Sequence, residues 1–331
     1  MQLNYKKGIR IPSSIVFCLG LVFGWLGASS LGLHRSLSCE TLWNNAKTSS
    51  RPTAVDDFRA EFTVNASKGW RSIDIFVGQA KQHVDENGES LSPKWVAQAR
   101  QDEAIFSLLK NKSAGLFVDL AANDAVLLSN TYSLEKFYGW KGICIEPNPI
   151  YWYNLTHRRP NCQTVGAVVG TPRDQPVHFF YGAGDHGGIA GAGFDNGDKF
   201  RTRSKIAYTV TLHEILQRHR CFFQTCGETK AKMTIDYLSL DVEGAENFVM
   251  QGFPFGHYSI HLITVERPKE TLRHLLEENG FHQIQKLSRW GETLWAHEDI
   301  QAKLDVSRLD EFSGRRQYLE GKARRESLHT G

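Results

Sequence analysis

The chain has 331 residues, 41% hydrophobic and 23% charged, with 10 prolines and a formal net charge of +3 at pH 7. This is the make-up of an ordinary globular protein and excludes a low-complexity or disordered chain. The small positive charge is spread along the sequence, which excludes a basic nucleic-acid-binding domain.

The N-terminus stands apart. Residues 15–33 (IVFCLGLVFGWLGASSLGL) run without a charge and are just long enough to span a bilayer, which takes about 20 apolar residues. Lys6, Lys7 and Arg10 precede the run, so residues 1–14 are expected in the cytoplasm and the rest of the chain in a lumen or outside. Gly27-Ala28-Ser29-Ser30 also fits a signal-peptidase site and hence a secreted protein, but the run exceeds the usual signal-peptide core of about 7–15 residues. Gly20, Gly24, Ala28 and Gly32 recur every fourth position, a stripe through which two such helices can pair into a homodimer.

Residues 34–90 read as a stem, with Ile73–Val77 undecided between strand and helix. From 91 the signals sharpen. Ser92 and Pro93 start a helix that the apolar spacing carries to Lys110. Gly115–Leu120 is a buried strand, Leu127–Tyr138 a helix, Gly142–Glu146 a second strand, Tyr151–Arg158 a helix and Thr164–Val169 a third strand. Residues 182–193 hold six glycines, too many for strand or helix, and read as a lid or surface loop. Tyr237–Asp241 and His261–Glu266 are further strands. A helix over Lys269–Asn279 ends at Gly280, and Phe281–Leu287 with Thr293–His297 make a terminal hairpin. Residues 91–300 therefore form a doubly wound α/β domain with a mainly parallel sheet, and 301–331 a charged, solvated tail.

Three sequons (Asn65, Asn111, Asn154) and five cysteines outside the apolar run agree with a lumenal, glycosylated domain in the Golgi or endoplasmic reticulum. Cys221 and Cys226 are close enough for a disulfide. No spacing resembles a zinc site, and no metal is assigned.

Several strands end in acids: Asp119 followed by Asn123 and Asp124, then Glu146, Asp241 with Glu243, and Glu266. Ligands of parallel sheets sit at the carboxyl ends of the strands, and an acid closing the second strand is placed to hold a ribose diol. Glu146 has that position. The loop Asp119–Ala125 lacks glycine, which disfavours a tightly bound diphosphate. S-adenosylmethionine carries no phosphate, and its sulfonium and adenosine suit small residues and acids. Asp241, Glu243, Glu266 and His213 are candidate general bases.

Phe117–Ala125, Leu128-Ser129-Asn130-Thr131, Trp140-Lys141-Gly142, Ile145–Pro149 and Leu238–Glu246 together resemble the FkbM-type methyltransferase family. The resemblance covers roughly residues 100–297. It implies a class I, Rossmann-like methyltransferase fold and methyl transfer to a hydroxyl of a sugar, glycan or small molecule. It also implies that Asp119, Ala121, Asn123, Asp124, Glu146 and Asn148 line the cofactor site, with Asp102 in a short element before it, and that Asp241 and Glu243 face the acceptor. Ala121, Ala122 and Ala125 stand where many members carry glycine. Two rivals remain: a non-catalytic membrane adaptor keeping the domain, for which the glycine-free loop speaks, and a metal-dependent glycosyltransferase using Asp241-Val242-Glu243.

Overall fold

The computed structural model describes residues 58–65, 69–77, 95–182, 187–198, 203–224 and 231–314. The predicted anchor lies outside them, and among the described residues no helix is long and apolar enough to cross a membrane. In chain order the strands are β1 (Phe58–Asn65), β2 (Gly69–Val77), β3 (Leu116–Leu120), β4 (Lys141–Ile145) and β5 (Cys162–Gly166). A second sheet takes β6 (Val168–Val169), β7 (Pro176–Phe180), β8 (Gly188–Ala190) and β9 (Lys205–Val210). The chain then returns to the first sheet with β10 (Met233–Leu240), β11 (Tyr258–Glu266), β12 (Phe281–Lys286) and β13 (Glu292–His297). The helices are α1 (Gln101–Leu108), α2 (Tyr132–Tyr138), α3 (Pro149–Arg158), α4 (Leu212–Arg218), α5 (Arg220–Phe223), α6 (Glu246–Met250), α7 (Glu270–Glu278) and α8 (Glu298–Gln301).

The large sheet runs β1-β2-β5-β4-β3-β10-β11-β13-β12. Its five central strands, β5 to β11 in that order, are parallel, and antiparallel pairs extend it on both sides. This is the expected Rossmann-like, mainly parallel α/β arrangement with its C-terminal hairpin. From β3 the chain winds outward through β4 and β5, whereas β10 starts the other direction. The switch point between β3 and β10 is where such sheets open a crevice.

Both faces of the sheet are buried, which explains the near-continuous apolar strands. Val118, Leu120, Ile143 and Ile145 pack on one face, while Phe117 and Cys144 pack on the other with Trp140. Gly115 is required beside that tryptophan, since a Cβ there would lie 2.5 Å from the indole ring. On the same face a disulfide joins Cys144 of β4 to Cys162 of β5, with Cα atoms 5.9 Å apart. Closing a loop of 18 residues stabilises the fold by about 3 kcal/mol in the chain-entropy picture. Cys221 is also disulfide-bonded; Cys226, its expected partner, lies outside the described residues.

Several boundaries differ from the expectation. The helix predicted from Ser92 begins only at Gln101, because Arg100 adopts a left-handed backbone (φ 57) and the Asp102 carboxylate gathers the Val96 and Ala97 N–H groups into a turn. The helix predicted from Leu127 begins at Tyr132. Asp124 Oδ1 accepts from the N–H of Val126 and Leu127, and Leu128 (φ 60) bridges to Ala97 instead of continuing a helix. The third strand breaks after Gly166, sending Val168–Val169 to the second sheet. Residues 58–65 and 69–77, assigned to the stem, are paired strands at the sheet edge. Glycines 188 and its neighbours do form a strand: β8 is buried, and Asn196 fills the space a Gly188 Cβ would need. The tail is not wholly solvated, since Phe312 is buried beneath the Arg100 guanidinium, 4.9 Å from its ring centroid.

Candidate active site

At the carboxyl edge of the parallel strands lies a cavity of about 440 Å³, within the ~300–1,000 Å³ of small-molecule sites. Its floor is the loop after β3. Ala121 (φ 56) and Asn123 (φ 49) both take left-handed backbone there, a strained choice for residues with a Cβ. The strain sets the Asn123 N–H on Glu146 Oε2 at 2.9 Å. The Asn148 N–H reaches Glu146 Oε1 at 2.7 Å, and the Asn148 side chain caps α3 through the Ile150 N–H. Burial pushes the Glu146 carboxyl up to about 7, against the pull of these two N–H groups. Each carboxylate oxygen accepts more than one hydrogen bond, so both still have room for a hydroxyl.

Asp119 lies deeper. Its Oδ2 accepts from Thr131 Oγ1 at 2.6 Å, and Thr131 accepts from Arg159 Nη2 at 2.7 Å. Arg159, itself fully buried, is paired with Glu135 at 2.5 Å and donates to Ser129 Oγ at 3.1 Å. Asn130 Nδ2 donates to Ser239 Oγ across to β10. This polar layer fixes the segment between β3 and α2, and none of its charged members was singled out from the sequence except Asp119.

Across the switch point, Asp241 and Glu243 line the opposite wall. Glu243 (φ 54) and Gly244 (φ 85) are consecutive left-handed residues, and the Val242 and Gly244 N–H groups bond Glu246 Oε1. Gly244 is obligatory in this turn, because a Cβ would meet Asp195 Oδ1 at 2.5 Å. Burial raises Asp241 well above the usual carboxylate range, reinforced by Glu292, Glu266, Glu243 and Glu246. Glu243 is pushed up to about 7 by burial and Glu266, with Arg267 opposing. Arg267 Nη2 bonds Asp195 (2.8 Å), Glu266 (2.8 Å) and Glu243 (3.4 Å), so this acidic cluster already has a cation.

Of the residues singled out, Asp119, Ala121, Asn123, Asp124, Glu146, Asn148, Asp241 and Glu243 all line the cavity. Three do not. Asp102 is fully buried and accepts from Ser133 Oγ (2.7 Å) and the turn before α1; its neighbour Gln101 reaches the wall instead. Glu266 ends β11 as predicted but turns to Arg267, off the cavity wall. His213 sits on α4 against the Tyr258 hydroxyl at 2.8 Å, away from the cavity. Phe179 and Ile189 line the wall from the second sheet, together with Gly182 and Gly187 of the glycine-rich stretch. Ala125 packs in the core, not in the cavity, so its methyl group cannot crowd a ligand.

Comparison with known families agrees with this geometry. The methyltransferase FkbM domain model matches residues 119–315, from the first acid of the site through the terminal hairpin. No curated protein sequence matches the chain.

Proposed function

The chain belongs to the FkbM methyltransferase family, and from that premise we propose that it is an S-adenosylmethionine-dependent O-methyltransferase acting on a hydroxyl of a sugar or glycan. One observation carries the reading: a buried acid, Glu146, follows β4 with both oxygens oriented by backbone N–H groups at the edge of a cavity. The donor set fits the cofactor. Glu146 is placed to accept two ribose hydroxyls, Ile145, Ala167 and Val168 offer an apolar wall, and the surrounding acids favour a cation. Bound there, the cofactor supplies an activated methyl group with its own leaving group.

What remains for the protein is positioning and proton removal. Glu146 and Asn148 orient one side of the cavity. Asp241 lies on the acceptor side, where its carboxylate form would take the hydroxyl proton, while Glu243 borders the same wall. The Cys144–Cys162 disulfide supports a domain held in an oxidising compartment, in line with an N-terminal anchor and a lumenal, glycosylated catalytic domain.

Calorimetric titration of the full-length chain with adenosylmethionine and with its demethylated product tests the cofactor. Glu146→Ala is expected to weaken binding by about 100-fold or more, the loss of two hydrogen bonds to a charged group. If neither protein binds while both remain folded, the enzymatic reading fails and the adaptor reading takes its place.

A further inference from the structure

The cavity wall that carries Asp241 and Glu243 is built from two stretches distant in the chain. One is the turn after β10, which also contributes Val242 and Ala245. The other is the segment 187–198, whose Gly187 and Ile189 line the cavity. The two stretches touch directly. The Asp195 N–H donates to the Glu243 carbonyl at 3.1 Å, and a Cβ on Gly188 would lie 3.3 Å from that of Glu243. Within the segment, the Gly191 N–H donates to the Gly197 carbonyl at 2.8 Å and the Gly197 N–H to the Phe194 carbonyl at 3.0 Å. Asp195 is therefore fixed to the same short piece of chain as the wall residue Ile189.

Charge works against that contact. Carboxyl oxygens of Asp195, Glu243 and Glu266 lie within 4.8 Å of one another, and like charges so close repel. Arg267 reverses the sign of the interaction, with Nη2 at 2.8 Å from Asp195, 2.8 Å from Glu266 and 3.4 Å from Glu243. Lys269 Nζ adds bonds to the carbonyls of Gly193 and Gly244, one in each stretch. The backbone is arranged around this arginine. Arg267 has a left-handed φ of 45°, uncommon for a residue with a Cβ, and its N–H donates to the Gly291 carbonyl at 3.1 Å. A Cβ on Gly291 would lie 2.7 Å from Arg267 Cγ, so the hairpin turn before β13 makes room for the arginine stem.

We propose that Arg267 is a positioning residue for this wall: its guanidinium straps Asp195 of the segment 187–198 to Glu243 and Glu266, and so holds the two stretches at one spacing. The inference rests on the methyltransferase reading only in taking this wall as the one an acceptor meets. Arg267 does not line the cavity, so it acts through Asp195 and Glu243 and not on the acceptor itself. Its side chain is 45% exposed, and those of Asp195 and Glu243 are 30% and 25% exposed. Ion pairs this open to solvent contribute little to global stability. The effect of the arginine therefore falls on local opening of the segment, which has its own free energy apart from that of the whole fold.

Amide hydrogen exchange of the full-length chain, read over residues 187–198 and over β10 and β11, tests this without cofactor or acceptor. In Arg267→Gln the segment is expected to exchange about tenfold faster than in the wild type, with β10 and β11 unchanged and the melting temperature within about 3 °C. Equal exchange in the segment overturns the proposal. Acceleration that spreads over β10 and β11 overturns it too, since Arg267 then only supports the fold. Asp195→Asn removes the strap from its other end and is expected to give the same local acceleration, which decides the matter should Arg267→Gln not fold. The two changes combined are expected to act no more strongly than either alone, and additive effects show that the residues do not work as a pair and overturn the proposal. Adenosylmethionine affinity keeps the two readings apart, since Arg267→Gln is expected to change it by less than about twofold. A loss as large as that of Glu146→Ala makes Arg267 a cofactor-site residue and overturns the proposal. A wild type that binds no adenosylmethionine, with the local acceleration present in the variant, removes the methyltransferase reading and leaves the strap standing.

Discussion

β10 carries an aspartate near its start and another just past its end, and the two are in opposite electrostatic states. Asp236 accepts from Lys112 Nζ at 2.7 Å, the Leu116 N–H at 2.9 Å and His261 Nδ1 at 2.9 Å. Although burial works against it, these partners hold its carboxyl below the ordinary value. Among the described residues Asp241 forms no ion pair, and with burial and four glutamates around it its carboxyl stands well above that value. The same residue type therefore fastens the sheet at one end of the strand and, at the other, borders the cavity among acids. Stability is invested at the amino end of the parallel strands. The carboxyl end carries left-handed alanine and glutamate backbone and several buried acids with raised carboxyls, as sites that do chemistry commonly do.

The largest effect that separates the two ends is expected for Asp236→Ala. Removing it leaves the part-exposed Lys112 and His261 and the Leu116 N–H without their shared partner, a loss of about 2–3 kcal/mol in urea unfolding. Because Asp236 is lowered in the fold, its contribution is present above its ordinary value of 3.8 and disappears as pH falls through the lowered one. A loss under about 1 kcal/mol would show that the amino end is no better fastened than a surface pair.

Asp241→Asn is expected to act in the reverse sense. A raised carboxyl contributes stability only at acid pH and loses it as pH rises, so the variant should gain stability relative to the wild type on going from acid to mildly alkaline solution. Methyl transfer should be lost at the same time. Parallel stability profiles for the two proteins would erase the contrast.

Cofactor affinity carries the same signature at Glu146. On the proposed function, ribose hydroxyls would donate to the ionised carboxylate, which burial pushes up to about 7, so binding should weaken by about tenfold between pH 8 and pH 6. Titration calorimetry across that range checks it, and pH-independent binding would remove Glu146 from the ribose site. The smallest effect is expected at Ala121, whose φ of 56° glycine adopts without strain. Ala121→Gly relieves the backbone while loosening the unfolded chain, for a net gain within about 1 kcal/mol. A net loss in chemical denaturation would show that the alanine methyl packs usefully against the cavity floor.

Much of the site was legible because its residues close short apolar strands. Asp119, Glu146 and Asp241 each end a run that can only be a buried strand, and parallel topology then brings them to one edge. Asp102 and Gln101 were not separable by that logic. Which of two consecutive residues faces the cavity depends on where α1 begins, and a left-handed Arg100 delayed that start. Glu292 gave no local signal, since its position opposite Glu266 exists only once the hairpin has folded onto β11. Cys144 and Cys162 likewise become partners only through the adjacency of β4 and β5.

The sequence by itself determined the family, the alternation of strands and helices and the acids at the strand ends, because hydrophobic periodicity and turn residues are local properties of the chain. Tertiary structure alone decided which acids face the cavity and which are neutralised by Arg267. It also decided that a second sheet completes the wall, and that one strand carries an ion-paired aspartate at its start and another bordering the cavity just past its end. Burial and charge pairing are set by neighbours distant in sequence, and they shift the free energy of a carboxylate far more than its local context does.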